Sequence, residues 1–294
     1  MNKIKRSISE RVFEKANIIF MCIMCVVMIY PMIHVLCASF SSPAIMSGYK
    51  GILLWPKGFT TVAYQLMAKN PMILRGYINT AIVLISGVTL NVILTAFGAY
   101  VLSRKSFAMR SKIMLMIVFT MYFSGGIIPF YFTVKSLGME NSLLSLILPT
   151  AVSTYNLIIM RTSFMSIPDS LEESARLDGA GHFTILFRIV LPLSRAVVAV
   201  MILYYAVAHW NSWFNAMLFL TDRKKFPLQL ILREILIQND TSSMLQNVGI
   251  GEQGLVGETI KYAVIIVSTV PILCIYPFIQ KYFEQGVMIG AVKG

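Results

Sequence analysis

The sequence predicts an all-α, polytopic membrane protein with six transmembrane helices. Hydrophobic residues make up 57% of the 294 and charged residues only 13%, with mean hydropathy +0.73, too little charge to cover a soluble globule. The apolar residues are gathered into blocks near the ~20 residues that a bilayer core requires. Between two of those blocks lies a polar segment in which Asp169, Glu172, Glu173 and Asp178 fall within ten positions. That segment belongs in water.

The spans read as 17–39, 77–102, 111–134, 143–163, 193–220 and 258–280. Residues 1–16 form a cytoplasmic N-terminal segment, 17–280 the six-helix domain with a cytoplasmic loop at 164–192, and 281–294 a cytoplasmic tail. Lys3, Lys5, Arg6, Arg11 and Lys15 precede the first span, as in a secretory signal. The apolar run that follows is longer than a signal core and long enough to span, so it reads as a retained helix. Cys22, Cys25, Cys37 and Cys274 read as buried, inert thiols, because Cys22-x-x-Cys25 has no second pair at ligand spacing.

The short turn after the second span carries Arg104, Lys105, Arg110 and Lys112. With the N-terminal cluster it orients the chain with both termini in the cytoplasm. The longer opposing loops, 40–76 and 221–257, also hold basic residues: Lys50, Lys57, Lys69 and Arg75 in the first, Arg223, Lys224, Lys225 and Arg233 in the second. Their charge weighs less because the loops are long. The net charge of +12 suits anionic lipid headgroups and, without an aromatic-interleaved basic face, does not suit nucleic acid.

Prolines at 31, 129, 149, 271 and 277 fall within or at the ends of spans, where freed backbone groups need partners. Ser124-Gly125-Gly126 permits either close helix approach or a local break. No Asp or Glu lies inside spans one to five, which argues against a proton- or sodium-coupled carrier. No phosphate loop, metal-ligand spacing or catalytic cluster is present, so the reading is a transport subunit, with no catalytic or metal residues, whose energy source lies elsewhere.

The polar loop has its own logic. Pro168 stops helix from propagating backward, and Asp169-x-x-Glu172 and Ser170-x-x-Glu173 form two overlapping capping boxes. A helix therefore starts near Asp169, with acids at the positive end of its dipole. Gly179 and Gly181 permit a sharp turn, and a second helix with a broad apolar face follows from about His182. Two short helices at an angle, one acidic and one apolar, suit a groove on a soluble partner.

Glu173-Ser174-Ala175, Gly179 and Ile189-x-Leu191-Pro192 match E-A-A-x3-G-x9-I-x-L-P, with Ser174 in place of the middle alanine. This resembles the signature of ABC importer permease subunits. Ser124-Gly-Gly-Ile-Ile-Pro-Phe-Tyr, Asn156-Leu-Ile-Ile-Met-Arg-Thr and the ending Tyr276-Pro-Phe-Ile-Gln-Lys-Tyr-Phe…Gly290-Ala-Val-Lys-Gly294 are similar to the maltose-type carbohydrate permeases, in the branch for complex oligosaccharides and polysaccharide fragments. The resemblance implies a type I ABC importer permease in a bacterial cytoplasmic membrane. It implies a second, homologous permease, two ATPase subunits that bind ATP and Mg, and an extracytoplasmic solute-binding lipoprotein, with no cofactor in this chain. Asp169, Glu172, Glu173, Ala175, Asp178, Gly179, Leu191 and Pro192 would then form the ATPase-coupling site. Glu173 would pair with a basic residue of the ATPase, Gly179 would shape the turn, and the tail around Gln285–Gly294 would reach the ATPase pair.

For the solute, span five offers Tyr205, Trp210, Asn211, Trp213 and Phe214. Sugars present hydroxyls to amides and apolar C–H faces to aromatic rings, and the Trp-Asn-x-Trp/Phe segment resembles the matching span of sugar permeases. Tyr122 and Asn156 are further pathway candidates, while His209 reads as a hydrogen-bonded packing residue. An aromatic belt at the outer interface explains the same rings without a sugar. The expected function is half of an ATP-driven import pathway for an oligosaccharide; the alternative is an ABC importer permease for a non-sugar solute. The basic residues of 40–76, which has no acid, suit either uronic-acid oligosaccharides or an anionic binding-protein surface.

Overall fold

The computed structural model describes residues 7–237 and 253–291. Lys3, Lys5 and Arg6, the 238–252 part of the long loop, and residues 292–294 of the tail motif lie outside the described residues.

Every regular element among the described residues is helical. In chain order they are α1 (Ile8–Ser39), α2 (Pro43–Met46), α3 (Val62–Lys69), α4 (Pro71–Ser103), α5 (Arg110–Tyr122), α6 (Ile127–Ser136), α7 (Leu144–Ile147), α8 (Thr154–Met165), α9 (Asp169–Leu177), α10 (His182–Ile185), α11 (Leu191–Leu193), α12 (Arg195–Trp210), α13 (Phe214–Phe219), α14 (Leu228–Ile237) and α15 (Gln253–Ala291). A π-helical stretch, Leu186–Val190, joins α10 to α11.

Three helices are long and apolar enough by themselves to cross a bilayer: Ser9–Ser39, Pro71–Ser103 and Val256–Ile275. Three bent helix pairs pass the same test together, which makes up to six spans if each pair is one: α5 with α6 at 116°, Leu144–Thr150 with α8 at 51°, and His182–Leu193 with α12 at 87°. This is an all-α polytopic membrane fold. Ser124-Gly125-Gly126 is the break in the third span, with Gly126 at φ +84° before α6. That φ lies where a Cβ would clash with the backbone, so glycine is what permits the turn. The fifth apolar run, expected as one helix over 193–220, is interrupted at Asn211–Trp213 between α12 and α13.

The chain divides into two units. One comprises residues 1–70 and 235–270. In it Cys37 and Ala38 of α1 pack with Met46 and Leu53, against Ile33, Tyr49 and Tyr262. The Phe40 ring stacks on Phe59 and Tyr64, at 5.7 and 4.8 Å between centroids. The 40–70 stretch is thereby folded rather than a loose loop. Most of α1 stays exposed on the isolated chain. Cys22 and Cys25 lie on that exposed part, and Cys274 of α15 is exposed as well, contrary to the expectation of buried thiols. A helix all of whose faces are apolar leaves pattern unable to say which face is packed. Cys37 is the buried one.

The other unit comprises 71–234 and 271–294. Its core joins Ala96, Ala99 and Tyr100 of α4, Leu157, Met160 and Phe164 of α8, Ile185, Leu186 and Val190, and Val197, Val200 and Met201 of α12. The alanines let α4 approach its neighbours closely, the usual basis of helix association where lipid replaces water. At 33 residues α4 is about 50 Å long. Near one end Asn79 donates to the Lys224 and Phe226 carbonyls at 2.9 and 3.0 Å, and Thr80 accepts from the Leu228 N–H at 2.9 Å. These bonds fix α14 there. The opposite end holds the polar loop.

Candidate functional site

At that opposite end α9 forms as Asp169–Leu177, but it is not started as the capping pattern predicts. Pro168 takes the cap position, Asp169 is already helical, and no side-chain cap hydrogen bond forms. The carboxylates are drawn away by cations distant in sequence. Lys105 Nζ lies 2.6 Å from Asp169 Oδ2, and that ammonium holds the Asp169 carboxyl below the usual carboxylate range. Arg104 Nη1 donates to Glu172 Oε2. Arg176 Nη2 and the Tyr100 hydroxyl donate to Oε1 at 2.7 and 3.3 Å.

Arg104 is itself buried. Its Nη2 donates to the Phe164 carbonyl at 3.2 Å, its Nε to Ser103 Oγ at 3.0 Å, and its guanidinium sits 4.9 Å from the Tyr100 ring centroid. Burial alone would push Glu172 up, yet the guanidinium groups of Arg104 and Arg176 outweigh it and hold the carboxyl low. Glu172 is thus a clamp that ties α9 to the ends of α4 and α8.

The two adjacent glutamates part company here, since neighbours on a helix point about 100° apart. Ala175, one turn from Glu172, packs against the core. Glu173, Leu177 and Asp178 are exposed, Leu177 by 90%. The helix ends as a Schellman motif: the Ala180 N–H reaches the Ala175 carbonyl at 2.9 Å and the Gly179 N–H that of Arg176 at 3.0 Å. Gly179 sits at φ +82° with open space where a Cβ would be, so glycine is required by the backbone and not by crowding. Leu191 packs on the core and Pro192 is exposed, just before the 87° bend into α12.

Farther along α4 and α12 lies a cleft of ≈ 1020 Å³. Six of the seven pathway candidates line it: Asn156, Tyr205, Trp210, Asn211, Trp213 and Phe214. Tyr122, at the end of α5, is not among its lining residues and is 80% exposed. The six differ in kind. Tyr205 is buried, with its hydroxyl 2.6 Å from Thr95 Oγ1 and accepting from the Ser153 N–H at 3.0 Å. Asn211 donates to the Val207 carbonyl at 3.0 Å and closes its own helix. Trp213 and Phe214 are 37% and 43% exposed.

Asn91 and His209, which line the cleft too, meet at 3.0 Å between Nδ2 and Nε2. Gly87 makes room for that ring, since a Cβ there would fall 2.5 Å from His209 Nε2. Asn91 Oδ1 and Trp210 Nε1 are buried without a protein partner. A buried acceptor and a buried donor therefore belong to residues that line the cleft.

A family model for binding-protein-dependent transport system inner membrane components matches residues 72–289, beginning in the first turn of α4. The chain belongs to this family. The permease is 41% identical over 290 residues to the polygalacturonan/rhamnogalacturonan transport system permease protein YtcP of Bacillus subtilis (strain 168), covering 97% of this chain and 99% of that one. It is 38% identical over 288 residues to protein LplC of the same organism, covering 97% and 96%. A crystal structure of a bacterial ABC transporter involved in the import of the acidic polysaccharide alginate matches with TM-score 0.87 and 31% identity, over 96% of this chain and 100% of that chain.

As a multi-pass permease subunit of an ABC importer in the bacterial inner membrane, the permease works with a paired permease, ATPase subunits and an extracytoplasmic solute-binding protein. ATP and Mg are bound by the ATPase partners, and the permease is not an enzyme. Sequence reasoning missed Arg104 and Asn91 in the permease. Arg104 was visible only as orienting charge, and Asn91 lies mid-span with nothing local to single it out.

Proposed function

We propose that this chain forms one half of the import pathway for an acidic oligosaccharide delivered by the binding protein, and that α9 couples it to an ATPase subunit. The carbohydrate reading draws on relatives concerned with polygalacturonan/rhamnogalacturonan and, at the level of structure, with alginate. The observation that carries the pathway is the ≈ 1020 Å³ cleft, where Trp213 and Phe214 offer ring faces to sugar C–H surfaces. Asn211, Ser212 and Asn215 line it too and bring groups suited to sugar hydroxyls. A non-sugar solute such as an amino acid or phosphate gives no reason for this aromatic and amide lining.

The coupling role rests on the division of α9 between a clamped face and an exposed one. Glu172 and Asp169 face cations of their own chain, which leaves Glu173, Asp178 and Leu177 for the partner. With the Arg104–Lys112 turn on the same side as this loop, the charge rule puts both in the cytoplasm, where the ATPase works. ATP-driven closure then moves α9 with the helices clamped to it, as rigid-body motion.

The test is ATPase stimulation in proteoliposomes holding both permeases, the ATPase subunits and the binding protein. Loading the binding protein with trigalacturonate is expected to stimulate hydrolysis several-fold over unloaded protein, while an equal-length neutral maltodextrin does not. Stimulation by neither, or by the maltodextrin alone, overturns the substrate reading.

A further inference from the structure

We infer that Arg233, stacked on Trp213, is a carboxylate-binding subsite for the transported oligosaccharide, at the end of the cleft remote from the coupling loop. The inference rests on the acidic-oligosaccharide reading. The Arg233 guanidinium carbon lies 4.6 Å from the Trp213 ring centroid, and Trp213 lines the cleft. Arg233 Nε is buried and has no hydrogen-bond partner. The adjacent acid does not answer it, because Glu234 is held by Arg223 at 2.7 Å. Among the described residues no carboxylate pairs with Arg233.

An arginine with a buried N–H and no counter-charge is a poor device for stability, since an unanswered buried donor costs its desolvation. It is a good device for binding an anion. Stacking on an aromatic ring holds the guanidinium plane and leaves its N–H edge for a bidentate carboxylate. A uronate sugar carries a carboxylate beside an apolar C–H face, so a guanidinium and an indole side by side match its two chemistries. The pair is also preorganised. Near α14's first turn the Leu228 N–H bonds Thr80 of α4, and one turn on, Ile231 fills the space over Gly76, where a Cβ would meet it at 2.7 Å. The subsite is thus built on α4, the helix whose far end carries Arg104 and the coupling clamp.

The experiment is equilibrium binding of trigalacturonate and of its methyl ester to the purified permease–ATPase complex, without the binding protein, for wild type, Arg233→Gln and Arg233→Lys. Losing a charge-assisted pair is expected to weaken trigalacturonate about tenfold in Arg233→Gln. The methyl ester, weaker on wild type, is expected to be unchanged by that variant, and Arg233→Lys to recover part of the loss. Co-elution of the permease and ATPase chains in gel filtration, as for wild type, shows that the variant complexes are assembled. Equal weakening of both probes means that Arg233 only packs Trp213, and no change with either means that it has no role; each overturns the subsite. If wild type fails to bind trigalacturonate although the loaded binding protein stimulates the ATPase, the subsite falls while the substrate reading stands. If that stimulation is absent, the substrate reading itself has failed.

Discussion

Glu172 and Glu173 are neighbours of one residue type, and the fold gives them opposite surroundings. Glu172 faces the buried Arg104, whereas Glu173 is exposed on the other side of α9. Removing one partner of a buried pair strands the other, so Glu172→Ala is expected to destabilise the permease by roughly 3 kcal/mol, read as a lowered melting temperature of the purified chain. Because the folded-state carboxyl is held below its ordinary range, the clamp's contribution is fully present above that range. It is lost as pH falls through the folded value. Acidification through the carboxylate range should therefore narrow the gap between Glu172→Ala and wild type, while moving from neutral to mildly alkaline pH leaves it unchanged. A gap that stays constant into acid would contradict the clamp. None of this was legible locally: both glutamates satisfy the same capping pattern, and what separates them is Arg104, 68 positions away.

Among elements, the two-helix loop was the most readable part of the chain. Pro168 sets where α9 begins, and Gly179 sets where it ends, because each dictates backbone geometry whatever the tertiary context. Gly179→Ala meets no neighbour, so its effect is confined to a backbone forced to φ +82°, about 1–2 kcal/mol of local strain. The expected outcome is a permease that still inserts and assembles but imports fewer solute molecules per ATP, measured as the ratio of uptake to phosphate release. An unchanged ratio would mean that the turn is not part of the lever. The break at Ser124–Gly126 was also signalled by its glycine pair, although the 116° angle is a matter of packing that no local pattern contains. The interruption at Asn211–Trp213 had no such signal: Trp213 and Phe214 continue the apolar run, and neither proline nor glycine punctuates it. Similarly, six pathway candidates converge on one cleft because they lie on α8, on α12, in the turn after it and at the start of α13, whereas Tyr122 ends α5 and is not among the lining residues.

Across the whole chain, hydropathy marked the three helices that are long and apolar enough to cross a bilayer, since a bilayer imposes length and apolarity on a span. It could not say which face of a uniformly apolar helix is packed, hence the exposed Cys22 and Cys25 on α1. The solute was less legible still, because the groups suited to it are single side chains on separate helices. If α9 is the coupling element, its exposed face transmits ATP hydrolysis to the transmembrane helices. Glu173→Lys tests it most directly, because Glu173 is solvent-exposed and its replacement leaves the Glu172 clamp in place. The measurement is ATP-dependent trigalacturonate uptake into proteoliposomes, alongside co-purification of the ATPase with this chain. The expected variant is a properly inserted permease that loses its ATPase and at least about tenfold of its uptake, the scale expected when one charge-assisted pair at an interface is reversed. Wild-type uptake with normal ATPase co-purification would contradict the coupling role.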